Sequence, residues 1–266
     1  EYNILFNSSD QSEVNDLTSI YGRLNNRVEE NLDLTRTQTP KALNQELKVY
    51  YTLNEDHIFS FEAQHLDQTE DPIGRAVRDR NPFLSLIPFD SNVQRFDITQ
   101  NRFIETQKLE AKLDYFYLLN DQSNINLSIG FTNVAQNYLS DFNQTLDDGT
   151  TKSFDDEQFN NNVDFSFKDL YFALNYRIRT GIFTIDPGLT LHFYDNKNTQ
   201  LGQIHTKDIS DIRPNLRVNM QFKKNENLRF TYRKNTQFTD VNNISEGYVF
   251  NNYNSIFLSL IHISEP

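Results

Sequence analysis

The chain has 266 residues, 37% of them hydrophobic yet 13% aromatic, with 22 Phe and 13 Tyr, so it buries rings and is not a disordered acidic polymer. A net charge of −12, from 37 acidic and 25 basic residues, speaks against a nucleic-acid partner, and the absence of cysteine removes disulfides, thiolate metal sites and thiol catalysis together. No run approaches the ~18 apolar residues of a membrane helix, which excludes a helical membrane protein but not a barrel, whose alternating strands look hydrophilic on average.

Glu1 begins the chain without a methionine or the basic and apolar regions of a signal peptide, and Tyr2-Asn3-Ile4-Leu5-Phe6 reads as the tail of a strand, so the start is expected to be truncated. Residues 7–42 are then expected to form a long polar loop. Period-two alternation sets the next elements. In 43–53, Leu47, Val49, Tyr51 and Leu53 oppose Glu46, Lys48 and Thr52; in 58–67, Phe59, Phe61 and Ala63 oppose Ser60, Glu62 and Gln64. After a second long loop, 68–102, strand 104–119 sets Leu109, Ala111, Leu113, Tyr115, Tyr117 and Leu119 against Glu110, Lys112 and Asp114. Strand 124–137 repeats the pattern with Ile125, Leu127, Ile129 and Phe131, and a polar loop 137–162 follows.

Strand 163–179 alternates Leu170, Phe172, Leu174 and Tyr176 with Ala173, Asn175 and Arg177; strand 182–194 alternates Phe183, Ile185, Leu189, Leu191 and Phe193 with polar residues. Beyond a loop at 195–209, strand 210–224 sets Ile212, Leu216, Val218, Met220 and Phe222 against Arg213, Asn215, Arg217, Asn219 and Gln221. The last strand, 228–234, opposes Leu228, Phe230 and Tyr232 to Arg229, Thr231 and Arg233, and residues from 235 onward form another loop. Tight turns fall near Asn54–His57, Asn120–Ser123, Thr180–Gly181 and Asn225–Asn227. The final residues, 258–266, read LSLIHISEP, resemble the translation of a sequencing adapter, and are set aside as an artefactual tail.

Helical spacing of apolar residues is absent, so the chain is all-β. Long strands, short turns on one side and long loops on the other are the pattern of an antiparallel up-and-down transmembrane β-barrel, here a fragment of about eight strands forming an open curved sheet. A soluble β-sandwich also has one apolar face. Its strands, however, have a usual length of ~5–6 residues, and its Greek-key connections mix long with short. The polar face carries too many long charged side chains to fill the bore of a closed eight-stranded barrel, so an arc of a larger barrel is expected. The outer membrane is the expected location and its bilayer the first partner.

The stretch Leu228 to Asn254, LRFTYRKNTQFTDVNNISEGYVFNNYN, resembles a segment of TonB-dependent-receptor outer-membrane barrels of the Bacteroidota type, and the hairpin Asp169–Tyr194 with its Asp186-Pro187-Gly188 is similar to a recurrent hairpin of that family. The resemblance implies a barrel of roughly twenty-two strands, a plug domain not contained in this sequence, a TonB-type periplasmic partner and uptake of a scarce small ligand. Iron chelate, glycan and peptide stay open as ligands. Two alternatives stand beside it: a non-transport barrel that anchors surface loops for adhesion or assembly, and a secreted β-rich binding module.

No enzyme is expected. The sequence has no nucleophile elbow, no ordered Ser-His-Asp set and no phosphate-cradling glycine loop. The histidines (His57, His65, His192, His205, His262) are scattered, and the acidic runs Asp147-Asp148-Gly149 and Asp155-Asp156-Glu157 lack calcium-loop spacing, so neither metal nor cofactor is expected. Candidate ligand contacts are Arg75, Arg78 and Arg80, whose guanidinium groups suit an anionic ligand or lipid phosphate, and Phe83 in the apolar run 82–88 of the same loop. For each, a solvated charge or packing within the loop is the competing reading.

Overall fold

The computed structural model describes residues 1–21, 28–81, 87–154, 157–200, 202–236, 247–252 and 255–258. Its strands are β1 (Tyr2–Ser8), β2 (Gln11–Tyr21), β3 (Val28–Gln38), β4 (Lys41–Thr52), β5 (His57–Glu70), β6 (Ile73–Arg78), β7 (Phe96–Asn120) and β8 (Ser123–Thr145). They continue with β9 (Thr151–Ser153), β10 (Asn161–Thr180), β11 (Phe183–Gln200), β12 (Gln203–Lys223), β13 (Glu226–Arg233), β14 (Tyr248–Asn252) and β15 (Ser255–Leu258). Apart from one 3-10 turn, Glu157–Phe159, the described residues contain no helix.

The chain forms an antiparallel, up-and-down sheet. Its main path runs β1-β4-β5-β7-β8-β10-β11-β12-β13, with β2, β3, β6 and β9 joined to it and β14 paired to β15 apart. Two prolines account for the paired labels at the start. Pro40 separates β3 from β4 and Pro72 separates β5 from β6, because proline has no N–H to give to a ladder. Register passes through both interruptions unchanged, with Lys41 facing Thr69 on one side and Thr37 facing Ile73 on the other. Asp71 fills the gap, accepting from the Thr39 hydroxyl and, at 2.5 Å, from the Thr39 backbone N–H. These bonds hold the Asp71 carboxyl below the usual carboxylate range.

One end of the sheet carries only tight turns. Asn54 Oδ1 accepts from the N–H groups of Asp56 and His57, both at 3.0 Å, and Asn120 Oδ1 accepts from Gln122 N–H at 2.9 Å. Gly181 takes φ 56°, which favours glycine for steric reasons. At the other end the strands run further than their alternation suggested. β7 and β8 span 25 and 23 residues, against the ~9–11 that cross a bilayer. Much of what reads as loop in 7–42, 68–102, 137–162 and 195–209 is paired strand, and β11 ends at Gln200 only three positions before β12 begins at Gln203. The reach from 237 to 246, and residues 259–266 of the adapter-like tail, lie outside the described residues.

The reason is a reversal of the apolar face. Toward the turn end, the row Val49–Phe61–Leu113–Ile129–Phe172–Leu191–Ile212 crosses seven strands in register without a polar residue. Leu113, Ile129 and Phe172 in that row are 42%, 41% and 43% exposed, so no described part of the chain covers them. Beyond the level of Leu109–Asn133–Lys168–Asp195–Asp208 this outward face turns polar. The apolar residues then sit on the opposite, inward face: Ile98, Tyr138, Phe142 and Val163 are at most 2% exposed.

Loop residues cover that inward cluster. Ile87, Phe154 and Phe159 pack with Leu32, Ala76, Ile98 and Phe142, joined by Phe89 and Tyr248, while Val249 packs on Tyr138 and Val163. Buried Asn161 fastens the last of these pieces: its Nδ2 donates to Ser140 Oγ (2.8 Å) and to the Tyr248 carbonyl (3.1 Å), and its Oδ1 accepts from Gly247 N–H (2.9 Å). The core of the molecule therefore lies inside the curve of the sheet, at its loop end.

Candidate functional site

The inward wall facing away from the apolar belt is the surface with chemistry. One residue along from the apolar row, the register runs Lys48–Glu62–Lys112–Gly130–Tyr171–His192–Asp211, so the same seven strands present charge and hydrogen-bonding groups on their other side. Period-two side-chain alternation does this automatically. Carboxylates and cations pair along the wall: Lys112 Nζ to Asp114 Oδ2 at 2.7 Å, Arg177 Nε to Asp186 Oδ1 at 2.6 Å, and Arg213 Nε to Asp211 Oδ2 at 2.9 Å. His192 Nδ1 lies 3.0 Å from both Asp169 oxygens. Its ring stacks on Tyr194 at 5.2 Å, and the Arg213 guanidinium sits over the same tyrosine, 5.5 Å from the ring centroid. Gly130 is required where it stands, because a Cβ there would come within 2.2 Å of Tyr171 Cζ.

The outward face near the turns is an aromatic collar. Phe59 stacks on Tyr115 at 4.9 Å, His57 stacks on Tyr117 at 4.7 Å, and His57 Nδ1 is 2.7 Å from the Tyr115 hydroxyl. Rings with one polar tip suit the boundary between hydrocarbon and water.

The residues singled out in the sequence do not converge. Arg75 and Arg78 lie three apart on β6, so the strand's period sends them to opposite faces. Arg75 grips Asp97 with two bonds, 2.9 and 2.6 Å, and that pairing raises its pKa further. Arg78 is buried against Glu30, with its NH2 nitrogen 2.8 Å from Glu30 Oε1. Arg80 is exposed beyond the end of β6, and Phe83 lies outside the described residues. The arginines that do share a surface are those of β10, β12 and β13, which did not stand out as a site in the sequence. Arg177, Arg179, Arg213, Arg217, Arg229 and Arg233 all occupy the polar phase of their strands. Their even spacing was the available signal.

Comparison with known proteins adds a resemblance of shape. The chain is similar in fold to solved transporters and receptors, FecA and FpvA among them being TonB-dependent receptors. The ferric citrate transporter FecA shares 14% identity, with 86% of this chain and 42% of that one covered and a TM-score of 0.38. FpvA of P. aeruginosa, in complex with pyoverdine and iron, shares 9% identity over 86% of this chain and 41% of its own, at a TM-score of 0.36. The toluene transporter TodX of Pseudomonas putida shares 7% over 87% of this chain and 73% of its own, at 0.32. The chain thus spans under half the length of FecA and FpvA. No family model and no curated protein matches it.

Proposed function

We propose that this chain is part of the wall of an outer-membrane barrel, and that the whole protein is a TonB-dependent transporter for a scarce ligand. The observation that carries the membrane half is the seven-strand apolar row through Leu113, uncovered by any other described part of the chain and backed by a charged row one residue away. Its height supports the same reading. From Leu109 to Leu119 the outward side of β7 is apolar, which at ~3.4 Å per residue and a tilt of ~40° gives a band about 26 Å tall, close to the ~25 Å expected of such barrels. In hydrocarbon no water satisfies a free ladder edge, so the sheet closes with further strands rather than ending.

The transport half rests on the water-facing wall and on the apolar cluster that the outer loops build over its far end. A plug domain inside the barrel and a TonB-type periplasmic protein are the partners this function requires. Cell fractionation of the full-length gene product tests the membrane half: recovery with the outer membrane is expected, and recovery in the detergent-free soluble fraction would overturn it. For the transport half, the full-length protein should co-purify with the periplasmic domain of a TonB-type protein. An outer-membrane protein that never binds that domain would leave a loop-anchoring barrel in its place.

A further inference from the structure

We infer that the outward face of β7, β8, β10 and β11 just above the apolar belt is a docking surface for the sugar-phosphate headgroup of an outer-leaflet glycolipid. The belt ends at the level of Leu109, Asn133, Lys168 and Asp195. Register sets two rows directly above it on the same face: Gln107–Ala135–Ser166–Lys197, then Glu105–Asn137–Asp164–Thr199. At ~3.4 Å per residue and ~40° tilt these rows stand about 5 Å and 10 Å beyond the hydrocarbon edge. A phospholipid headgroup layer is only ~5–8 Å deep, so the second row already rises past it. The strand continues to Asp97 and beyond, which puts about 31 Å of wall above Leu109. Such a wall matches a headgroup several sugars tall.

Shape and chemistry agree with that occupant. Ala135 and Ser166 are the short side chains of the lower row, and among their longer neighbours lies a hollow of about 410 Å³, bordered by Glu105, Gln107, Asn137, Asp164 and Lys197. Asn137 Nδ2 donates to Asp164 Oδ1 at 2.8 Å, and among the described residues nothing donates to Asp164 Oδ2 or Asn137 Oδ1. Lys197 is exposed and, among the described residues, has no carboxylate within ion-pair distance, whereas Lys168 one row below lies 3.6 Å from Asp195. A phosphate on the acylated end of a sugar headgroup comes level with Lys197, whose ammonium can pair with it. The same face carries Glu105, Asp164, Asp195 and Asp208. These carboxylates repel a bare anionic surface but accept hydrogen bonds from sugar hydroxyl groups. The combination selects a sugar-bearing lipid over a simple anionic one. Phe103 faces Leu139 one row higher, each 40% exposed, and about 16 Å beyond the belt. A flat ring there can take the C–H face of a sugar, which accounts for an apolar pair outside the hydrocarbon.

The inference rests on the barrel reading, since this face must stand in the outer leaflet. The test is native mass spectrometry of the full-length protein released from detergent, after exposure to equal amounts of deep-rough lipopolysaccharide and phosphatidylglycerol. Retained lipopolysaccharide in clear excess over phosphatidylglycerol is expected. The double variant Asn137→Ala/Lys197→Gln should lose about tenfold or more in affinity for it, as expected for one neutral and one charge-assisted contact removed. Ala135→Trp, which fills the hollow and removes no polar group, should weaken binding as well. Lys223→Gln, at the turn end, should bind as the parent does. Where the double variant loses the heat-dependent gel mobility of a folded barrel, Ala135→Trp is read in its place. Equal retention of the two lipids, or unchanged lipopolysaccharide binding in the folded variants, overturns the inference. Such a result in a protein that still fractionates with the outer membrane leaves the barrel reading standing, whereas recovery in the soluble fraction overturns both.

Discussion

Placing an arginine at Leu113 separates a lipid-facing surface from a water-facing one by depth. Leu113 is four residues from Leu109 and six from Leu119, the ends of the outward apolar run on β7. At ~3.4 Å per residue and ~40° tilt these steps put it about 10 Å and 16 Å from the two edges of the band, close to its mid-plane. There Leu113→Arg should cost roughly 2–4 kcal/mol. Phe103 is on the same face of the same strand and similarly exposed, at 40%, but it lies six residues beyond Leu109, about 16 Å outside the band. Phe103→Arg should therefore cost no more than about 1 kcal/mol. If both sites faced water, each change would stay within about 0.5 kcal/mol. Reversible urea unfolding of the full-length protein in lipid vesicles, followed by the strand signal in circular dichroism, measures the difference. Equal costs at the two positions would refute the depth assignment.

Three further outcomes follow from the packing. Gly130→Ala should destabilise by about 1–3 kcal/mol by displacing Tyr171, and Tyr171→Ala should relieve much of that loss; a double-mutant cycle showing no coupling would contradict the contact. Asn161→Ala removes three hydrogen bonds to Ser140, Tyr248 and Gly247, so hydrogen exchange at residues 247–249 should accelerate while the amides of β10 near Leu170 stay protected. Asp71 and Asp79 both have depressed pKa values, Asp71 through the Thr39 hydroxyl and backbone N–H and Asp79 chiefly through the Asn31 N–H at 2.7 Å. A carboxylate depressed on folding contributes stability above its unfolded value of ~3.9 and loses it as pH falls through the folded value. Protection of the Thr39 and Asn31 amides, corrected for intrinsic exchange, should accordingly be constant near neutrality and decline below about pH 4. In Asp71→Asn the decline at Thr39 should disappear; its persistence would place the titrating group elsewhere.

The belt was legible in the sequence because it needs only local alternation: Leu109 to Leu119 declares its greasy side without reference to any other strand. The strand extensions were not. Their outward positions are polar, as at Asp97, Thr99, Asn101, Glu105 and Gln107, and their inward apolar positions are irregular, so the stretch has the composition of a loop. What makes Tyr138 and Phe142 a core is the arrival of Ile87, Phe154, Phe159 and Val249 from distant segments, and no periodicity records that. The cluster Arg75, Arg78 and Arg80 looked like a site because its members are close in sequence. On a strand, three residues apart means opposite faces, and a carboxylate answers each of the first two. The arginines of β10–β13 were visible as polar-phase residues, but only the register of four strands shows that they share one wall.

These 266 residues contain no cysteine, so single cysteines placed here, in a full-length protein cleared of any others, can report lipid contact one position at a time. A scan from Phe96 to Leu119 in the full-length protein, reconstituted in a bilayer, uses a thiol reagent confined to hydrocarbon. It should label the positions of Leu109, Ala111, Leu113, Tyr115 and Tyr117, and spare Lys112, Asp114 and every position from Phe96 to Lys108. Labelling that ignores this alternation, or that continues on the outward face through Glu105 to Asp97, would contradict the placement of the membrane.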